Sequence, residues 1–121
     1  MNNKYKIIIE KYAQEDLENI YNYIKDDLVN TDAAVKLLNK FIDKFETISM
    51  FPDSSPLLDN EYISNKNIRK LLVDKYIAFY EVDHANKEVK IIRILYGMMN
   101  YINILWFLWS INSFFEILIK S

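Results

Sequence analysis

Few side chains in this sequence can do chemistry. Two arginines, Arg69 and Arg93, one histidine, His84, and the late tyrosines Tyr96 and Tyr101 are the candidates. Guanidinium groups can stabilise charge developing on a phosphorane, and an imidazole or a phenol can move the proton that such a step requires. Zero Cys and one His rule out a Cys-rich zinc site, a disulfide framework, a thiol nucleophile and any metal site needing two imidazoles. The single glycine, Gly97, rules out the glycine-rich phosphate loops, which need at least two. No metal or cofactor is therefore expected.

Each arginine interrupts an apolar row. On a strand, Arg69 shares a face with Leu71 and Val73, and Arg93 shares one with Ile91 and Leu95. A charge in such a row is either paired or facing solvent. The structural alternative to a phosphate contact is an ion pair with Glu81 or Asp74. Tyr96 closes a strand, where a phenol either packs or donates a proton. His84 falls in a hairpin turn away from both arginines, which reads as an exposed turn residue.

The elements that must position these groups follow from periodicity. Lys4 to Lys11 is short and β-branched and reads as a strand. From Gln14 to Leu28, Leu17, Ile20, Tyr21, Ile24 and Leu28 recur at spacings of three and four, which predicts an amphipathic helix with Glu15, Asp16 and Glu18 in its first turn. Asn30, Thr31 and Asp32 offer N-cap chemistry for a second helix, whose face carries Ala34, Leu38, Phe41, Phe45 and Ile48 and which Pro52 ends. The very short connection predicts an antiparallel helical hairpin. After a loop over 53–67, three strands are expected at 67–74, 76–83 and 88–96. The order is that of an α+β domain: an N-terminal strand, a helical hairpin and a three-stranded antiparallel meander in one sheet. The helices cover one face and leave the other open to a ligand or partner.

A length of 121 residues with 51% apolar content makes one domain with a full core. The net charge of −2 does not suggest tight non-specific binding to nucleic acid. It hides a split: residues 62–96 carry seven positive and four negative charges, a local excess of three that includes Lys66, Lys70 and Lys75. The first ten residues lack the apolar run of a secretory signal, and together with the absence of Cys this fits a cytoplasmic protein. Beyond Gly97 the chain turns strongly apolar. We divide it into a domain at 1–105 and an extension at 106–121 that reads as an extra apolar C-terminal helix. A membrane span wants about 20 apolar residues, so membrane association is not the favoured reading.

The amphipathic first helix, RKLLV at Arg69–Val73, YIAFYEV at Tyr76–Val82, and IIRILYG at Ile91–Gly97 running into Y-G-x-x-N-Y at Tyr96–Tyr101 occur in one order. That ordered set resembles the RelE/ParE family of toxins from type II toxin-antitoxin systems, small bacterial proteins encoded beside a labile antitoxin and associated with plasmid stabilization and growth inhibition. The resemblance covers roughly residues 4 to 105. It implies a cognate antitoxin that wraps the toxin, and one of two activities. ParE-like members bind and poison DNA gyrase; RelE-like members are metal-independent endoribonucleases that cut messenger RNA on the ribosome. Fold alone does not choose between them.

In RNA-cutting members an arginine at the position of Arg69 binds the scissile phosphate, Arg93 matches an arginine common in the last strand, Tyr96 stands where many relatives carry His or Tyr, and Tyr101 is the aromatic that follows. These implied roles make Arg69, Arg93 and Tyr96 the catalytic candidates if the protein is a nuclease, with Lys66, Lys70, Lys75 and Tyr101 as phosphate- or target-binding residues. Met98 and Met99 depart from the pattern, since relatives place basic residues after this glycine and a thioether cannot replace their charge. The expectation is therefore a ParE-like toxin that binds a protein such as gyrase. The alternatives are the nuclease and an inactive relative that only binds antitoxin.

Overall fold

The computed structural model describes residues 3–58 and 67–98; Lys66, Met99, Tyr101, the apolar extension at 106–121 and the boundary at 105 lie outside the described residues. Four strands and two helices follow in the order β1 (Lys6–Ile9), α1 (Lys11–Asn22), α2 (Thr31–Met50), β2 (Ile68–Val73), β3 (Tyr76–Asp83) and β4 (Glu88–Tyr96). The sheet order is β1-β4-β3-β2, with β1 parallel to β4 and the other pairs antiparallel. The expected α+β architecture is thus present, as a mixed sheet.

Strand β1 passes into α1 with no intervening loop. Glu10 donates its N–H to Ile91 O at 2.9 Å, ending the β1–β4 ladder, and its own carbonyl accepts from Gln14 N, starting the helix. The helix begins at Lys11, ahead of the expected Gln14, because Ala13 extends the apolar stripe inward. A fully buried methyl group there lets the helix approach the sheet closely. Glu15, Asp16 and Glu18 consequently lie beyond the first turn and do not complement the helix dipole. The helix gives way to a wider π-helical turn at Tyr23–Asp27, in which Leu28 N bonds Tyr23 O at 3.1 Å.

Asn30 then caps α2 through its side-chain oxygen, which accepts from Ala33 N at 3.0 Å. The inward face of α2 carries Ala34, Leu37, Phe41, Phe45 and Ile48, so Leu37 takes the place expected of Leu38. Of these, Leu37, Phe41, Phe45 and Ile48 pack with Leu71 and Val73 of β2, Ala78 and Tyr80 of β3, and Val89, Ile91 and Ile94 of β4. Tyr80, fully buried, donates its hydroxyl to Pro52 O at 2.9 Å and so fixes the chain leaving α2.

The other face of the sheet differs from expectation. Leu58, Ile68, Ile77, Phe79 and Leu95 form a second apolar cluster with Ile92 against it. Its core members are all 7% exposed or less, so this patch is buried, while Leu72 at the β2 end of the same face is 66% exposed. Burial is what five apolar side chains in one patch demand in water.

Two irregularities shape the edges. The β3–β4 register shifts between Phe79 and Tyr80, where Ile91 and Arg93 face consecutive residues and Ile92 is the extra one. Val29, Asp74 and Lys87 hold positive φ at 48°, 55° and 53°. Gly97 is not among them; it is small because a Cβ would meet the Lys75 carbonyl oxygen at 3.1 Å.

Candidate functional site

Arg93 sits where β1 has run out and β4 has a free edge. Asp16 of α1 fills that gap: its Oδ2 accepts the Ile94 backbone N–H at 2.9 Å and the Arg93 Nε at 2.7 Å, while Oδ1 accepts from Arg93 Nη2 at 2.9 Å. Both side chains are under 20% exposed. A two-point carboxylate–guanidinium contact of this geometry spends the fork of the arginine on its own chain. The partner is neither Glu81 nor Asp74, the two carboxylates expected from strand neighbours, because the free edge of β4 faces α1.

Arg69 points to the opposite side of the molecule, toward the loop that follows α2. Its Nη1 donates to Ser55 O at 2.7 Å and Asp53 O at 3.2 Å, and its Nη2 lies 3.3 Å from Asp53 Oδ1. His84 reaches the same Asp53 Oδ1 through Nε2 at 3.3 Å, and its Nδ1 is 2.8 Å from the Tyr5 hydroxyl. Tyr5, His84, Asp53 and Arg69 therefore form one run beside a hollow of about 380 Å³ lined by Asp53, Leu57, Asn67, Arg69, Val82 and His84.

The sequence reading places His84 away from both arginines; the structure brings it to Arg69 through Asp53. Nothing in local periodicity signals this. It follows from the antiparallel pairing of Ile68 with Glu81, which sets Arg69 and the Asp53 loop it holds near the β3–β4 turn, while the parallel pairing of Lys6 with Glu88 brings Tyr5 there.

Tyr96 is at the far end of the sheet. Its ring meets Tyr76 edge-on with centroids 5.8 Å apart, and both line a cleft of about 680 Å³ with Tyr23, Ile24, Leu28, Ala33, Leu37, Asp74 and Lys75. Burial raises the Tyr76 phenol above its ordinary 10.0, and the neighbouring Tyr96, Asp74 and Tyr23 add to the effect.

The three nuclease candidates do not converge. Arg69 pairs with Tyr80 and Tyr96 with Tyr76, a separation of four residues along β3, or about 13 Å before the strand spacing is added. Arg93 is turned to α1. Lys70 and Lys75 instead gather with Lys40 and Lys44 of α2 along the outer edge of β2: Lys44 and Lys70 line one groove, and Lys40 Nζ reaches Asp74, next to Lys75, at 3.6 Å. Lys66 and Tyr101 lie outside the described residues.

The profile of the ParE toxin of the type II toxin-antitoxin system parDE matches residues 7–101. The chain belongs to the ParE toxin family. Among solved structures, the chromosomal ParDE system from P. aeruginosa is similar over 78% of this chain and 98% of that one, with 18% identity and a TM-score of 0.62. The RelBE2 toxin-antitoxin complex from Mycobacterium tuberculosis is 16% identical over 77% of this chain and 98% of its own, with a TM-score of 0.53. The archaeal RelE-RelB complex from Pyrococcus horikoshii OT3 is 14% identical over 78% and 97%, with a TM-score of 0.54. These likenesses establish a fold common to ParE and RelE toxins. A search among curated proteins finds no match. Among the described residues, no helix is long and apolar enough to cross a membrane.

Proposed function

We propose that this ParE-family toxin acts in the ParE manner, in the bacterial cytoplasm. It arrests growth by binding and inhibiting a macromolecular target such as DNA gyrase, and a cognate antitoxin neutralises it. The observation that carries this reading is that the nuclease candidates are not gathered into one site: Arg69 is bound to Ser55 and Asp53, Arg93 is held at two points by Asp16, and Tyr96 lies at the far end of the sheet. Met98, 83% exposed where a phosphate-cutting relative would carry a cation, supports the same reading.

The test pairs two assays on the purified protein. Supercoiling by gyrase is expected to fall with added toxin while message on translating ribosomes stays intact. Cleaved message with unaffected supercoiling would reject the proposal. Induced expression is expected to stop growth, and co-expression of the adjacent antitoxin to restore it; expression without toxicity would favour an inactive, antitoxin-binding relative.

One observation favours the RelE-like ribonuclease as the second reading. The run Tyr5–His84–Asp53–Arg69 sets an imidazole and a guanidinium on one carboxylate oxygen, which are the groups that proton transfer and phosphate binding require. In this second reading the site is centred on His84 and does not involve Arg93 or Tyr96.

A further inference from the structure

We propose that Tyr5 is an acyl-acceptor site: its phenol, with His84 as base and Asp53 behind the base, takes the acyl group of a small activated donor, an aryl ester or an acyl phosphate. The proposal goes beyond the toxin reading and stands apart from it, since it invokes neither gyrase nor RNA.

Tyr5, His84 and Asp53 stand in the order that a nucleophile, a base and the group orienting the base require. The Tyr5 hydroxyl is 2.8 Å from His84 Nδ1, and His84 Nε2 is 3.3 Å from Asp53 Oδ1. A carboxylate only accepts, so in the neutral imidazole the one N–H lies on Nε2 and the Nδ1 lone pair faces the phenol. The Tyr5 proton is thereby aimed at His84. Each member is held from outside the run. Tyr5 N donates to Ser49 O at 2.8 Å, and its ring packs against the core and meets the His84 ring edge-on with centroids 5.5 Å apart. Arg69 fixes Asp53 through both its carbonyl oxygen and Oδ1. An imidazole, unlike a backbone carbonyl, can keep the proton it accepts.

His84 belongs both to this run and to the hollow of about 380 Å³ beside it. Leu57 and Val82 give that hollow apolar walls for an acyl or aryl body, and Asn67 and Arg69 supply N–H groups for a carbonyl or phosphoryl oxygen. The His84 side chain is 58% exposed, so a small solute reaches it from water. In the step, the Tyr5 phenolic oxygen forms a bond to the acyl carbon while its proton passes to His84 Nδ1. The bond from that carbon to the leaving oxygen breaks, and its electron pair departs with the aryloxide or phosphate. The imidazolium then returns the proton to the leaving group or to solvent. Nothing is oxidised or reduced, and the product is a tyrosine ester.

The experiment incubates the full-length protein at neutral pH with p-nitrophenyl acetate and, separately, with acetyl phosphate, and maps the acetyl groups by peptide mass spectrometry. Tyr12, 53% exposed, serves as the internal reference. Tyr5 is expected to be acetylated about 100-fold faster than Tyr12 by at least one donor, the lower end of what a positioned base contributes. Labelling by one donor alone assigns the site to that class of donor. His84→Ala is expected to bring Tyr5 down to the rate of Tyr12, and added imidazole to restore part of the difference. Asp53→Asn is expected to slow Tyr5 and Asp53→Glu to recover it, which marks Asp53 as a positioning residue. Should a variant fail to fold, the wild-type ratio of Tyr5 to Tyr12 decides. Tyr5 labelled no faster than Tyr12 by both donors, or unslowed in folded His84→Ala or Asp53→Asn, would overturn the proposal. Gyrase inhibition is read separately, so failure here leaves the proposed function intact.

Discussion

The Asp16 carboxylate stands in for a missing strand. It takes the Ile94 N–H that β1, ending at Ile9, is too short to reach, and Arg93 holds it there at two points, 2.7 and 2.9 Å. Removing either partner strands a mostly buried charge, so Arg93→Ala and Asp16→Ala are each expected to lower unfolding free energy by about 3 kcal/mol. Replacing both with apolar residues of similar volume is expected to recover much of that. Urea unfolding of the two single variants and the double variant measures it. A small loss in both single variants would show that the pair contributes little.

Arg69 is expected to behave as a loop anchor. Arg69→Ala is expected to cost about 1–2 kcal/mol, the worth of hydrogen bonds made by a charged donor, and to speed amide exchange at Ser54 and Leu58. Tyr96→Phe, by contrast, is expected to leave gyrase inhibition unchanged, since no described hydrogen bond uses its hydroxyl. Loss of growth arrest in Tyr96→Phe with a normal melting curve would point back to proton transfer by the phenol.

Acid sensitivity is expected from the β3–β4 turn. Asn86 donates its side-chain amide to Asp83 Oδ2 at 2.8 Å and its backbone N–H to Oδ1 at 3.0 Å, and these bonds, the side-chain one first, hold the Asp83 carboxyl below its ordinary 3.8. The folded chain takes up that proton less readily than the unfolded chain. This contribution is therefore complete above pH 3.8 and is lost as the pH falls through the lowered value. Stability against pH in wild type and Asn86→Ala checks it: the variant is expected to show a shallower fall in acid.

Tyr76 carries the opposite dependence. Its raised phenol means that the folded state keeps a proton that the unfolded chain releases, so its contribution is present below pH 10.0 and is lost as the pH rises through the raised value. Phenolate absorbance in wild type and Tyr76→Phe is expected to show one late-titrating group missing from the variant. An unchanged titration curve would mean that Tyr76 is not the late group.

Val29 holds a left-handed backbone at φ 48° with its side chain 84% exposed, a β-branched residue where glycine is at ease. Val29→Gly sacrifices no buried surface and is expected to raise stability by about 0.5–1 kcal/mol. A thermal melt reads this directly, and a lower melting temperature would show that the hairpin tip packs through Val29.

Much of the fold was legible in the sequence because its signals are local. The 3–4 spacing of Leu17, Ile20 and Ile24, the Asn30 cap, and the β-rich runs at Ile68, Tyr76 and Glu88 each depend on neighbours a few residues away. The start of α1 was harder, because Ala13 is too small to weigh in an apolar count yet is fully buried. The site was less legible. Arg93 meets Asp16 across 77 positions and Tyr5 meets His84 across 79, and only the parallel β1–β4 register brings them together. The burial of Phe79 and Leu95 on the second face had no local signal either, since alternation along a strand names two faces without saying what covers each.

With α1 and α2 against one side of the sheet and an apolar patch buried on the other, the hollows of the described residues lie toward its margins. They are the β2 flank, the aromatic cleft at the Tyr76–Tyr96 end and the hollow at the His84 end. Three small hollows set apart in this way suit projecting side chains better than one broad flat contact.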